Sequence, residues 1–145
     1  MPDLVLEPAE PRDLAAIRTI LLELELPAGD LGAANQHFIV AREGGALVGC
    51  VGLEVHGPAA LLRSLAVVPS RQGAGVGRAL YRRALDEALA RGVTALYLLT
   101  TTAERYFARE GFQAIGRDRV PAPVRTSAEF GSLCPASAAC MWKPI

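Results

Sequence analysis

Residues 61 to 78 read L-L-R-S-L-A-V-V-P-S-R-Q-G-A-G-V-G-R. The apolar run from Leu61 to Val68, interrupted only by Arg63 and Ser64, predicts a buried strand that Pro69 and Ser70 end. Gly73, Gly75 and Gly77 space the loop that follows. From Arg78 the spacing becomes helical, with Leu80, Ala84, Leu85, Ala88 and Leu89 on one side and Arg82, Arg83, Asp86 and Glu87 on the other. Gly92 stands where a helix C-cap belongs. Strand, glycine loop and helix N-terminus in that order make an anion site. The free amides of the first helical turn and the helix dipole both face the loop.

Neither G-x-G-x-x-G nor the Gly-Lys-Ser/Thr ending of a Walker loop is present. What stands there is Gln72-x-x-Gly75-x-Gly77, preceded by Leu65-Ala66-Val67 and Pro69. This resembles the acetyl-CoA pyrophosphate loop of the GNAT N-acetyltransferases.

At 145 residues the chain predicts a single domain, residues 1–145, with room for one core. A hydrophobic content of 51% argues against disorder. Basic and acidic residues balance at 15 each, and the arginines are scattered among acids, so no nucleic-acid partner is expected. No apolar run approaches the roughly 18 residues of a membrane span, and Met1-Pro2-Asp3 does not start a signal peptide. The expectation is a cytoplasmic protein without a membrane partner. Its oligomeric state is open, a homodimer included. Cys50, Cys134 and Cys140 lack C-x-x-C spacing, which disfavours a disulfide framework and a zinc site, so no metal is expected.

In chain order, Leu4 to Glu7 predicts a strand. Arg12 to Glu25 predicts an amphipathic helix stopped by Pro27, with Asp13 near its positive end. Residues 28 to 36 are a loop or a short helix. Phe38 to Arg42, the turn Glu43-Gly44-Gly45 and Ala46 to Val55 form a hairpin. The central strand follows it. Ala95 to Leu99 is a fifth strand, parallel to the fourth because a helix connects them. Thr100 to Thr102 cap a short helix, Ala103 to Arg109, ending at Gly111-Phe112. A strand at Phe112 to Gly116, a linker bounded by Pro121 and Pro123, a helical turn at Glu129-Phe130 and a strand near Ala138 to Lys143 complete the chain.

This order is similar to the GNAT fold over nearly the whole length. The resemblance implies an α/β (α+β) architecture: a mixed, mostly antiparallel sheet whose fourth and fifth strands splay apart, flanked by helices. Ala103, Tyr106-Phe107 and Gly111-Phe112 look like the family element that packs along the cofactor's pantetheine arm. The resemblance implies acetyl-CoA as cosubstrate. Pantetheine would lie on the backbone of Leu65, Ala66 and Val67, and pyrophosphate on the amides of Gln72, Gly73, Ala74, Gly75, Val76, Gly77 and Arg78. Thr100, Ala103 and Phe107 would line the cofactor, and an amide near Ala66 or Val67 would hold the oxyanion. Thr100 stands where the family has asparagine. Phe107 stands where it often has the tyrosine that protonates the leaving thiolate. Tyr106 is adjacent, but neighbouring residues on a helix point about 100° apart, so it does not simply take that place.

The carboxyl third, with Leu98 to Ala103, Arg117, Pro121, Glu129-Phe130, Leu133-Cys134-Pro135 and Met141, is similar to small acetyltransferases encoded beside arsenic-resistance genes. More distantly it is similar to the acetyltransferase domain of N-acetylglutamate synthases. Both likenesses imply N-acetylation of a small-molecule amine, an amino acid or an analogue such as a glutamate-like or arsenic-bearing one. A non-catalytic acyl-CoA-binding or thiol-based arsenic-responsive module is the alternative. Glu54, on the strand beside the cofactor strand, is the candidate base through water, ahead of His56 and His37. Arg63 is a charge in an apolar strand and needs a partner. It is read as the anchor of a substrate carboxylate, against a structural ion pair such as one with Glu54. Arg117 is a second anionic contact, with Arg119 and Arg125 as further candidates, and Glu129 and Phe130 shape the substrate wall.

Overall fold

A computed structural model describes residues 3–145. Its strands are β1 (Leu4–Pro8), β2 (Gln36–Glu43), β3 (Ala46–His56), β4 (Ala59–Val67), β5 (Ala95–Thr100), β6 (Gln113–Ala114) and β7 (Ala139–Pro144). The helices are α1 (Leu14–Glu23), α2 (Val76–Ala90), α3 (Glu104–Arg109) and the single turn α4 (Ala122–Arg125). All seven strands join one sheet in the order β1-β2-β3-β4-β5-β7-β6. The β4–β5 pair, connected through α2, is parallel, and the other pairs are antiparallel. This is the mixed, mostly antiparallel α/β sheet expected.

Strand alternation divides the apolar residues between two faces. Ile39, Val51, Leu53, Ala60, Leu62, Leu96 and Leu98 face α2 and α3, where Leu80, Tyr81, Ala84, Ala88, Phe107 and Phe112 cover them. The opposite face holds two smaller clusters. Phe38, Val40, Cys50 and Ala66 pack under Ile17, Ile20 and Leu21 of α1. Ala59, Leu61, Tyr97 and Cys140 pack under Val120, Val124 and Phe130. Arg63, on β4, belongs to neither cluster.

Four stretches differ from expectation. The first helix ends at Glu23 because Glu25 turns left-handed (φ 57°), letting the Leu26 amide donate to the Leu21 carbonyl at 2.8 Å. The proline-bounded linker contains α4: Pro121 caps it and Pro123 lies in its first turn, where no amide donor is required. The helical turn at Glu129 is a π-helix, Glu129–Leu133. The strand expected over residues 112–116 pairs only at Gln113–Ala114, since Phe112 is buried in the core and Gly116 opens a 3-10 turn.

Candidate active site

β4 and β5 pair at Ala59–Ala95, Ala60–Leu96 and Leu61–Tyr97, and then part. A cavity of about 420 Å³ opens in the V between them, walled by Leu62 to Leu65 on one side and Leu98 to Ala103 on the other. A bulge in β4 shapes the parting. Cys50 faces Ala66 and Gly52 faces Arg63, so Val51 is left opposite both Ser64 and Leu65. The extra residue bends the strand. Ser64 takes φ 56°, a conformation that costs a non-glycine residue about 1–2 kcal/mol, and the Cys50 thiol donates to its carbonyl at 3.4 Å. Ser64 and Glu25 are the two non-glycine residues with positive φ among the described residues, and both line this cavity. Backbone strain of this kind gathers at ligand sites.

Beyond β4, Gly73 (φ 81°) and Gly75 (φ 88°) adopt the left-handed turn that brings the loop into α2. The first helical bond runs from the Ala79 amide to the Gly75 carbonyl at 3.1 Å, so the amides just before it have no helical acceptor. Buried Val76 pins the helix start to the core, while Ala74 is exposed and Gly77 lies against Val67. Arg78 is mostly exposed, 3.9 Å from Glu110. Gln72 departs from expectation: its amide donates to Pro69 O and its side chain to Val67 O at 2.9 Å. It ties the loop to the strand end.

The divided face of the sheet holds a buried charge cluster. Arg63, whose side chain is fully buried, donates to both oxygens of Asp30 at 2.6 Å and to Glu54 Oε1 at 3.0 Å. Glu129 Oε1 lies 3.5 Å from its Nη2. Burial opposes the guanidinium's charge, but the bonds to Asp30 and the three carboxylates raise its pKa. The Arg63 hydrogen bonds hold Asp30 below the usual carboxylate range. Glu129 is different: burial pushes its carboxyl up to about 7, and Asp30 and Glu54 outweigh part of the help from Arg63. Of the two partner readings of Arg63, the structural ion pair is the one seen. A substrate carboxylate would have to displace Asp30. Glu54 does not line the cavity; its oxygens take His56 Nε2 at 2.7 Å, Arg63 and Gln36.

On the β5 side, Thr100 Oγ1 accepts from the Ala103 amide at 3.0 Å, leaving its own proton free to donate. Ala103, Tyr106 and Phe107 all line the cavity, because α3 presents an edge to it and residues 100° apart flank that edge. Phe107 is also packed edge-on against Tyr81 and Phe112. The Tyr106 hydroxyl is buried with no hydrogen-bond partner among the described residues. The expected anionic contact Arg117 and the expected wall residue Phe130 lie elsewhere. Arg117 donates to the carbonyls of Pro135, Ala136 and Ala138 and sits over the Phe130 ring at 5.8 Å, clamping the segment before β7. Phe130 is buried in the α4 cluster. Cys134 does line the cavity, and burial pushes its thiol up to about 11; burial pushes Cys50 up to about 12. Among the described residues no group of His, Cys, Asp or Glu is arranged to hold a metal ion, and no helix is long and apolar enough to cross a membrane.

A V-shaped gap in a sheet, unpaired strand backbone along it and free helix amides at its mouth define a protein suited to an extended ligand with an anionic end. The chain belongs to the acetyltransferase (GNAT) family, whose model matches residues 6–115. It is similar to the amino-acid acetyltransferase of Neisseria meningitidis, 33% identical over 86 residues, which are 58% of this chain and 20% of that protein. The chain thus spans a small part of that relative's length. Among solved structures it is similar to the Mycobacterium tuberculosis protein Rv2747 in complex with CoA and NLQ, with a TM-score of 0.80 at 26% identity over 97% of this chain and 99% of that one. It shares its fold with N-acetylglutamate synthase from Neisseria gonorrhoeae complexed with coenzyme A and L-arginine, with a TM-score of 0.82 at 22% identity over 100% of this chain and 34% of that one.

Proposed function

We propose that the protein transfers the acetyl group of acetyl-CoA to the amine of a small molecule, an amino acid or an amino-acid analogue. The observation that carries this reading is the parting of β4 and β5 after Leu61, with the α2 amides at its end. Pantetheine is a chain with two amides, and the unpaired edge of β4 offers it the bonds a neighbouring strand would make. The amides of residues 73 to 78 suit a diphosphate, with Arg78 alongside. Family membership and the CoA-bound relative support the same donor.

In this reading the acceptor enters the far half of the cavity, between Ser64 and Glu129. Its nitrogen attacks the thioester carbon, the oxyanion forms near a β4 amide at Ala66 or Val67, and the C–S bond breaks. A thiol pKa near 8.5 makes CoA thiolate an adequate leaving group, so holding the two reactants in place supplies much of the rate. The likeness to N-acetylglutamate synthase, and the resemblance of the carboxyl third of the sequence to arsenic-associated acetyltransferases, define the acceptors to try first. A thiol-based arsenic sensor fits less well, because burial raises the pKa of both the Cys134 and Cys140 thiols, away from the reactive thiolate.

The test is release of CoA thiol from acetyl-CoA with a panel of amino acids, including glutamate, glutamine and arsenic-bearing analogues, alongside calorimetry of CoA binding. Turnover on at least one amine is expected. Tight CoA binding without turnover would favour the non-catalytic alternative, and no CoA uptake would remove the reading altogether.

A further inference from the structure

Three carboxylates surround one guanidinium at Arg63, and they are not equivalent. Asp30 takes both arms of the fork at 2.6 Å. Glu54 is held by Arg63, His56 and Gln36 and does not reach the cavity. Glu129 lines the cavity, is only 4% exposed, and no donor among the described residues hydrogen-bonds its carboxylate. Its nearest cation, Arg63 Nη2, stands 3.5 Å away and is already engaged with Asp30. It rises from a π-helix, a backbone form that recurs at functional sites. It also lies beyond the residues that the family model matches.

We propose that Glu129, not Glu54, is the group that takes the proton from the acceptor's ammonium. The inference rests on the acetyl-transfer reading above. The cluster has one guanidinium against three carboxylates, so the wall facing the acceptor carries surplus negative charge and draws a cationic amine to the carboxylate that lines the cavity and that no described donor hydrogen-bonds. The ammonium R–NH3+ gives one proton to Glu129 and becomes a nucleophile. Its nitrogen bonds to the acetyl carbon, the C–S bond breaks, and the departing thiolate takes the second proton from that nitrogen. Glu129 then loses its proton to solvent through the cavity mouth. The sum is ammonium plus acetyl-CoA giving amide, CoA thiol and one proton.

The charged and titratable groups facing Glu129 are Arg63 from β4, Asp30 from the loop after α1, Glu54 from β3 and Cys134 from its own segment. His56 lies behind Glu54, and Arg117 acts on Cys134. Burial and the two neighbouring carboxylates bring the Glu129 carboxyl to about 7, where a base and its conjugate acid are both accessible.

The experiment compares wild type and Glu129→Gln by kcat/KM against pH, with the best ammonium acceptor and with methoxyamine, which is already neutral at the assay pH. Wild type is expected to rise with pH and level off above about 7 with the ammonium acceptor. Glu129→Gln is expected to lose about 10²–10³-fold near neutral pH and to keep rising toward the amine's own pKa, with under tenfold loss on methoxyamine. Glu129→Asp should recover part of the rate. Retention of wild-type kcat/KM and its pH limb by Glu129→Gln, or equal losses on both acceptors, would overturn the assignment. If Glu129→Gln does not bind CoA, the wild-type profiles decide: a limb near 7 with the ammonium acceptor and none with methoxyamine supports the role, and the same limb with both refutes it. No thiol release by wild type with any amine would instead overturn acetyl transfer itself.

Discussion

The Arg63 side chain is buried completely and is paired with carboxylates that come from three other parts of the chain. Removing it would leave Asp30, Glu54 and Glu129 together without a cation. Breaking such a buried set by deleting one partner costs about 3–5 kcal/mol. Arg63→Met is therefore expected to lower the melting temperature by on the order of 10 °C at neutral pH, read by calorimetry. The loss should shrink in acid. Arg63 depresses the Asp30 pKa, so that pair stabilises the fold above the unfolded carboxylate value and is lost as pH falls through the lowered one. The sequence showed that Arg63 needed a partner, because a charge in an apolar strand is costly. It did not show Asp30, which sits in a loop with no periodicity to aim it. Nor did it show that Arg117 and Phe130 would turn away from the cavity: a side chain's direction in an irregular segment depends on what the tertiary fold leaves open.

At the scale of elements, the ends of α2 were legible because glycine marks them. Gly75→Ala puts a side chain at φ 88° with nothing within 4 Å, so its cost is conformational and about 1–2 kcal/mol. We expect a matching fall in stability and about tenfold weaker CoA binding. Gly77→Ala has no positive φ and meets Val67 at an ordinary 3.7 Å, so it should leave the melting temperature alone and weaken only CoA, by titration calorimetry. The start of α1 carries a different lock. Asp13 accepts from Arg42 of β2 at 2.7 and 2.8 Å and from the Glu10 amide at 2.8 Å, and the Arg42 bonds hold its pKa below the usual value. Its contribution is whole above the unfolded carboxylate value and vanishes as pH falls through the depressed one. Asp13→Asn should cost about 2 kcal/mol in urea unfolding at pH 7, with the difference fading below about pH 4. The end of α1 was not legible, since Glu25 does what glycine usually does. α4 was hidden by prolines that mark a linker as readily as a first turn.

Across the whole molecule, the alternation of apolar residues gave the strands, and the helical crossover gave the one parallel pair. The position of β7 between β5 and β6 is a long-range pairing that no local pattern encodes. The parting of β4 and β5 came from family likeness and not from spacing. Its physical origin, a single surplus residue at Ser64, is invisible in a run of apolar letters. That residue sets thermal resilience against ligand capture. A chain lacking Ser64 would keep the same inward and outward directions for Arg63, Leu65, Ala66 and Val67, yet lose a left-handed kink and straighten the strand. Its melting point should hold or rise in calorimetry while its grip on CoA fails. An engineer selecting this protein only for heat tolerance would be steered toward that deletion, and would obtain a sturdier sheet with its slot closed.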